Sequence, residues 1–169
     1  MPLELRRLCA EDGQDLYEML QELPADENGY LNSVYGKTFE EYKNWLKKAA
    51  AAAEQEGIVD GWKVPSSTFW LFENGRPVGM GRVRHILTDA LRENGGNVGY
   101  SIRPDARGRG LGKKLLALLL EKCKDLGVAE VLLTIQNHNR PSIGVALANG
   151  GKIKKITEEK HYIGFELTL

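Results

Sequence analysis

The alternation of apolar and polar positions divides the chain into short strands and amphipathic helices. "LELRRL" alternates as a first strand, and "AEDGQDLYEMLQEL" then sets Leu16, Met19, Leu20 and Leu23 at helical spacing until Pro24 ends the helix. "PADENGYLNSVYGK" has no period and many turn residues, which predicts a long loop with room for a helical turn. Thr38 followed by Glu41 forms a capping box, and Phe39, Tyr42, Trp45, Leu46 and Ala49 make one stripe of a second helix that Gly57 stops. "STFWLFENGRPVGMGRVRHI" predicts two strands joined at Asn74-Gly75, a dipeptide suited to a tight hairpin.

Beyond a connector, "TDALRENGG", the chain reads as a strand "NVGYSIR", a strongly apolar helix "LGKKLLALLLEKCKDL" closed by Gly127, and a buried strand "AEVLLTIQ". Strand, glycine turn, helix and strand in succession predict a βαβ unit whose strands run parallel through a right-handed crossover. "RPSIGVALANG" suits a short helix, and "KIKKITEEKHYIGFELTL" a closing hairpin. No repeat, low-complexity stretch or linker interrupts the pattern, so residues 1–169 are expected to form one domain.

Composition changes this picture little. At 42% hydrophobic and 27% charged residues the chain has the make-up of an ordinary globular domain. Lys plus Arg equals Asp plus Glu, 23 of each, so any basic cluster is local and nucleic acid is not an expected partner. Cys9 and Cys123 provide neither a disulfide framework nor metal spacing. The start "MPLELRRLCAED" lacks the apolar run of a signal peptide, and "LLALLL" is far too short to span a membrane, so a cytoplasmic protein without a membrane partner or bound metal is expected.

The candidate chemistry concentrates in "RPDARGRGLGKK", residues 103–114. Arg103, Arg107, Arg109, Lys113 and Lys114 share this stretch with Gly108, Gly110 and Gly112. Glycines let a backbone approach a ligand closely, and a following helix N-terminus points free N–H groups at an anion, which together indicate phosphate. Two phosphate motifs fail on spacing. A P-loop ending at Gly112-Lys113 would need glycine at Arg107 and Ser or Thr at Lys114, and a dinucleotide fingerprint would need glycine at Lys113 or at Leu115.

The pattern that remains, Arg107-x-x-Gly110-x-Gly112 between strand and helix, resembles the pyrophosphate motif of the Gcn5-related N-acetyltransferase (GNAT) family. The resemblance spans the chain, with most of its specificity in residues 98–151. It implies a mixed α/β fold: a central, mostly antiparallel sheet of about six or seven strands, helices on both faces, and a splayed parallel pair at the cofactor site. It implies acetyl-CoA as donor, with its pyrophosphate on the backbone of Arg107, Gly108, Arg109, Gly110, Leu111, Gly112 and Lys113. Main-chain groups around Tyr100, Ser101, Ile102 and Arg103 would pair with the pantetheine arm, and Ser101 and Ile102 N–H groups would stabilise an oxyanion. Asn139 falls where the family often contacts the cofactor, with Ser142 three residues on. One departure stands out: the tyrosine that many members place four residues after Ser142, to protonate the departing thiolate, is Ala146 here.

The implied reaction is direct attack of an amine on the thioester in a ternary complex, the amine belonging to a small molecule or, alternatively, to a peptide. His85, which titrates near neutral pH, is the candidate base. Tyr100 and Tyr162 are candidate site hydroxyls, with His161 beside the latter. Each has a plainer explanation: a strand-end histidine held by a backbone group, ordinary sheet tyrosines, and for Asn139 a helix cap. Cys123 falls on the apolar stripe of its helix. Arg82 and Arg84 share one strand face, either as exposed edge charges or as holders of a carboxylate. Asp26, Glu27, Asp60, Glu158 and Glu159 border the acceptor side in the family and would suit a cationic amine. The rival of a different class is a non-catalytic acyl-CoA sensor. Family members are often dimers, so a homodimer is expected.

Overall fold

The computed structural model describes residues 2–169. In chain order the elements are β1 (Leu3–Arg7), α1 (Gln14–Glu22), β2 (Asp26–Glu27), β3 (Tyr30–Leu31), α2 (Phe39–Ala53), β4 (Ser66–Glu73), β5 (Arg76–Arg84), α3 (Asp89–Glu93), β6 (Val98–Ile102), a 3-10 turn (Pro104–Ala106), α4 (Leu111–Asp125), β7 (Glu130–Gln136), α5 (Arg140–Ala148), β8 (Lys152–Ile156) and β9 (Lys160–Glu166). One sheet has the order β1-β4-β5-β6 and a second the order β7-β9-β8, and every pair within them is antiparallel.

Burial on both faces explains the nearly continuous apolar run of β4. Trp70 and Phe72 face α1 and α2, where Leu16, Met19, Leu20, Tyr42 and Leu46 are buried with Met80 of β5. Phe69 and Leu71 point the other way, into a core with Leu115, Leu116 and Leu119 of α4. Gly81 marks where α4 crosses closest, since a Cβ there would lie 2.5 Å from Leu119 Cδ1. Thr38 and Glu41 cap α2 reciprocally, as their spacing predicts.

Two segments differ from the sequence reading. The stretch expected to be a loop folds at residues 26–31 into a miniature hairpin, β2–β3. Its turn residues Asn28 and Gly29 have φ of 54° and 89°, and Asp26 Oδ1 accepts the Gly29 N–H at 2.9 Å. The connector after β5 holds α3, capped by the Thr88 hydroxyl.

The β6–α4–β7 crossover takes a particular form. β6 and β7 share no ladder; they meet at one clasp and then diverge. Asn97, just before β6, donates its N–H to Leu132 O at 2.7 Å and accepts the Leu132 N–H on Oδ1 at 2.8 Å. Its Nδ2 bonds Arg84 O at 3.0 Å, so a single buried asparagine ties together β5, β6 and β7.

Candidate functional site

The glycine turn opens toward solvent at the start of α4. Gly108 and Gly110 take φ of 79° and 80°, and a Cβ on either would meet nothing within 4 Å. Backbone conformation therefore demands glycine here, and the outer face is left bare. Gly110 is the N-cap of α4 and offers no side chain, so the first N–H groups of the helix are uncapped. The first turn carries no acid; Lys113 and Lys114 stand there instead, against the helix dipole. α2 does the opposite, with Glu40 and Glu41 in its first turn. An exposed helix start that adds cations to its own positive end is complementary to a polyanion.

The arginines of the turn are held by carboxylates. Arg109 makes a bidentate pair with Glu73, at 2.9 and 3.1 Å. Arg107 donates to Glu27 Oε1 at 2.8 Å and to Ile102 O at 2.8 Å. Arg103 is turned inward, 12% exposed, onto Glu22, Asp105 and Pro77 O. Its side chain is thus occupied by structure rather than offered to a ligand.

From the turn a cleft runs between the diverging β6 and β7. The bonds Arg84 N–H to Asn97 O and Arg103 N–H to Val78 O fix the alternation along β6. Gly99 and Ser101 exchange their main-chain bonds with Arg82 and Met80 of β5, while Val98, Tyr100 and Ile102 turn theirs away from β5. Of the pair expected to stabilise an oxyanion, Ile102 therefore has a free-facing N–H and Ser101 does not. The Ser101 hydroxyl instead donates to Glu27 at 3.2 Å. Tyr100 Oη lies 3.3 Å from Ser142 Oγ, and the Tyr100 ring and Val145 of α5 both flank Gly112 of α4. Burial pushes the Tyr100 phenol above its ordinary range, so it keeps its proton at neutral pH. Asn139 is the N-cap residue of α5, yet its side chain makes no capping bond; it lines the cleft with Ser142.

β2–β3 folds over this cleft as a cover that sequence reasoning did not find. The Tyr30 ring lies on Gly99, where a Cβ would come within 2.6 Å of Cδ1. Asn28 Oδ1 bonds His138 Nε2 at 2.8 Å. Beneath the hairpin is a cavity of about 150 Å³ whose walls include Glu27, Tyr30, Arg82, Arg84, Tyr100 and Lys160. The Tyr30 hydroxyl is buried with no partner, and desolvation pushes its pKa up.

Other expected residues lie apart from this cavity. His85 follows β5 beyond the clasp, with its N–H on Pro65 O and Nε2 2.8 Å from Ser67 Oγ. It lines a separate depression with Leu87, Arg92 and Val128. Desolvation, helped by Arg7, lowers its pKa. The two-residue period carries Arg82 and Arg84 into the cavity and takes His85 past it, to the separate depression. Tyr162 donates its hydroxyl to Glu93 O at 2.8 Å, packs within the β7–β9 ladder and lies outside the cavity lining. His161 Nδ1 pairs with Asn137. Ala146 and Cys123 are fully buried, and burial pushes the Cys123 thiol up to about 12. Among the acids expected at the acceptor side, only Glu27 lines the cavity; Asp26 and Asp60 are bonded to their own turns. Among the described residues no group of three His, Cys, Asp or Glu could hold a metal, and no helix is long and apolar enough to cross a membrane.

Comparison with known proteins bears on the family and the fold. The acetyltransferase (GNAT) family model matches residues 17–150. No curated protein sequence matches the chain. Among solved structures, the N-acetyltransferase PseH of Campylobacter jejuni, in complex with acetyl coenzyme A, superposes with a TM-score of 0.67 at 15% identity, over 99% of this chain and 100% of the other. An acetyltransferase of the GNAT family from Streptococcus pneumoniae gives 0.65 at 20% identity, over 99% and 100%. A ribosomal-protein alanine acetyltransferase of Vibrio fischeri gives 0.72 at 13% identity, over 97% and 92%.

Proposed function

Because the chain belongs to the GNAT acetyltransferase family, we propose that it transfers an acetyl group from acetyl-CoA to the primary amine of a small molecule, both substrates being bound together. The observation that carries this reading is the bare, uncapped start of α4 at the mouth of the β6–β7 cleft. Its N–H groups and Lys113 suit a pyrophosphate. The outward main-chain groups of Val98, Tyr100 and Ile102 suit an extended amide-bearing arm, and Asn139 and Ser142 stand at the other wall. A cavity of about 150 Å³ under a hairpin fits a small amine better than the terminus of a folded protein.

The amine nitrogen attacks the thioester carbonyl carbon. A C–N bond forms, the C–S bond breaks, one ammonium proton is released to solvent, and the departing thiolate is protonated to the free thiol. Holding both reactants in one cleft removes much of the entropic barrier. The Ile102 N–H faces the cleft and is available to the developing oxyanion. Tyr100, protonated and partnered by Ser142, takes the role of acid that Ala146 cannot fill. Among the described residues no histidine lines the cavity, and the amine proton is given up to solvent water rather than to a side-chain base.

The test is calorimetric titration with acetyl-CoA, followed by free-thiol release against a panel of amines. Saturable binding with amine-dependent thiol release is expected. Gly110→Glu, which sets a carboxylate on the bare turn, should abolish binding while the far-UV circular dichroism is retained. Undiminished affinity in that variant would place the donor elsewhere.

A further inference from the structure

The charges under the β2–β3 hairpin do not balance. Arg6, Arg7, Arg76, Arg103, Arg107 and Arg109 each reach a carboxylate. Arg82 and Arg84, two residues apart on one face of β5, reach none among the described residues, although both are half-buried. Arg84 spends one N–H on Gly96 O at 3.0 Å. Arg82 has only the face of Tyr30, with its guanidinium carbon 5.3 Å from the ring centre. Lys160 adds a third cation to the cavity wall, with its ammonium on Asn94 Oδ1. The single acid of the lining, Glu27, is already taken by Arg107 and Ser101.

Half-buried guanidinium groups without a counter-charge are partly desolvated with nothing in the protein to offset it. Here they are joined by an unpartnered donor, the buried Tyr30 hydroxyl. Three elements converge to present cations and a hydroxyl donor, and no carboxylate of the lining is free to answer them. Arginine forks match a planar carboxylate in two parallel bonds. Such an anion would sit on Arg82 and Arg84 while the rest of the molecule points along the cavity to Tyr100, Asn139 and Ser142. The same two arginines also floor a neighbouring depression of about 430 Å³ beside Trp45 and Trp62, which gives a longer substrate somewhere to extend.

We infer that the acceptor is an amine that carries a carboxylate, an amino acid in chemical class, held by Arg82, Arg84 and the Tyr30 hydroxyl. This rests on the acetyltransferase reading, and it reverses the expectation from sequence that acids around the acceptor site select a cationic amine.

The experiment presents α-, β- and γ-amino acids, each beside its carboxamide, to the wild-type protein with saturating acetyl-CoA, and reads thiol release. At least one amino acid should turn over with kcat/KM roughly 10- to 100-fold above its carboxamide, the discrimination expected of charge-assisted hydrogen bonds. Arg82→Gln and Arg84→Gln should erase that ratio mainly through KM, with acetyl-CoA affinity measured by calorimetry unchanged; Arg84→Lys should restore part of it. Equal use of acids and carboxamides, or of amines with no anion, would overturn the inference while leaving the transferase intact. If no amine releases thiol, calorimetry of the same amino acids into the protein with coenzyme A decides. Arginine-dependent binding of the acids would uphold the anion site and refute the transferase, whereas no binding would overturn the site as well.

Discussion

Replacing Asn97 by alanine should cost far more than a polar residue at the edge of a loop ordinarily would. The side chain is 3% exposed and makes two hydrogen bonds to main chain, from Nδ2 to Arg84 O at 3.0 Å and from the Leu132 N–H to Oδ1 at 2.8 Å. Alanine leaves both main-chain groups without that partner at the apex of the cleft. Each orphaned buried group costs about 1–3 kcal/mol, and access of water from the cleft side holds the pair near the lower half, so we expect a loss of about 2–4 kcal/mol. For a chain of this size that corresponds to a fall in Tm of roughly 4–16 °C. Urea unfolding followed by tryptophan fluorescence measures the free energy, and an unchanged slope would show that both end states keep their exposure. Native-state hydrogen exchange supplies a local readout, because the Leu132 amide should lose protection before its neighbours in the β7–β9 ladder. A loss below about 1 kcal/mol with the Leu132 amide still protected would refute the reasoning: the two sheets would then be joined by packing alone, and the clasp would be incidental.

Three further outcomes follow from the same structure. Tyr30→Phe removes a buried hydroxyl that has no partner, so it should leave the fold unchanged in stability or raise it by about 1 kcal/mol; a loss of stability in thermal unfolding would mean that the hydroxyl is satisfied in the folded protein. Tyr100→Phe should lower kcat by roughly 10²–10⁴-fold with little change in acetyl-CoA affinity, and an unaltered kcat would hand the proton to another group. His85 has a folded pKa below its unfolded value, so the unfolded state takes up its proton first as pH falls. Its contribution is complete above about pH 6.5 and is lost below it as the pH drops toward the folded pKa. The wild type should therefore lose more stability than His85→Gln on acidification from about pH 7 to about pH 5, while the variant retains thiol release; parallel stability curves would show that the ring is not held neutral.

What could be read from the sequence divides by the range of the interaction that fixes it. The long hairpin through Asn74-Gly75 and the helix α4 announce themselves, because each has a period of many residues bounded by a local signal. Asn28-Gly29 is the same dipeptide, yet its strands are two residues each, too short to show any alternation, and the hairpin exists because Tyr30 finds a seat on Gly99 far along the chain. The donor turn was legible for the first reason: its glycines, cations and helix start are contiguous. The acceptor side was not. Arg82 and Arg84 could be placed on one face by counting, but their burial depends on β2–β3 folding over them. His85 has the chemistry of a base, and only the position of the clasp shows that β5 has passed the cavity before reaching it. Likewise, Ser101 and Ile102 are equivalent until the pairing with β5 decides which N–H faces outward.

The shared Glu27 carboxylate links the two ends of the cleft thermodynamically. It belongs to the hairpin that carries Tyr30, and it holds Arg107 of the donor turn and Ser101 of β6 at once. A phosphate that engages Arg107 competes with Glu27 for the same guanidinium, so donor binding loosens one tether of the hairpin that roofs the acceptor. An acceptor that fixes the hairpin must, by reciprocity, change donor affinity by the same factor. Donor and acceptor affinities are therefore expected to be coupled through this one ion pair, each lowering the other by the same factor.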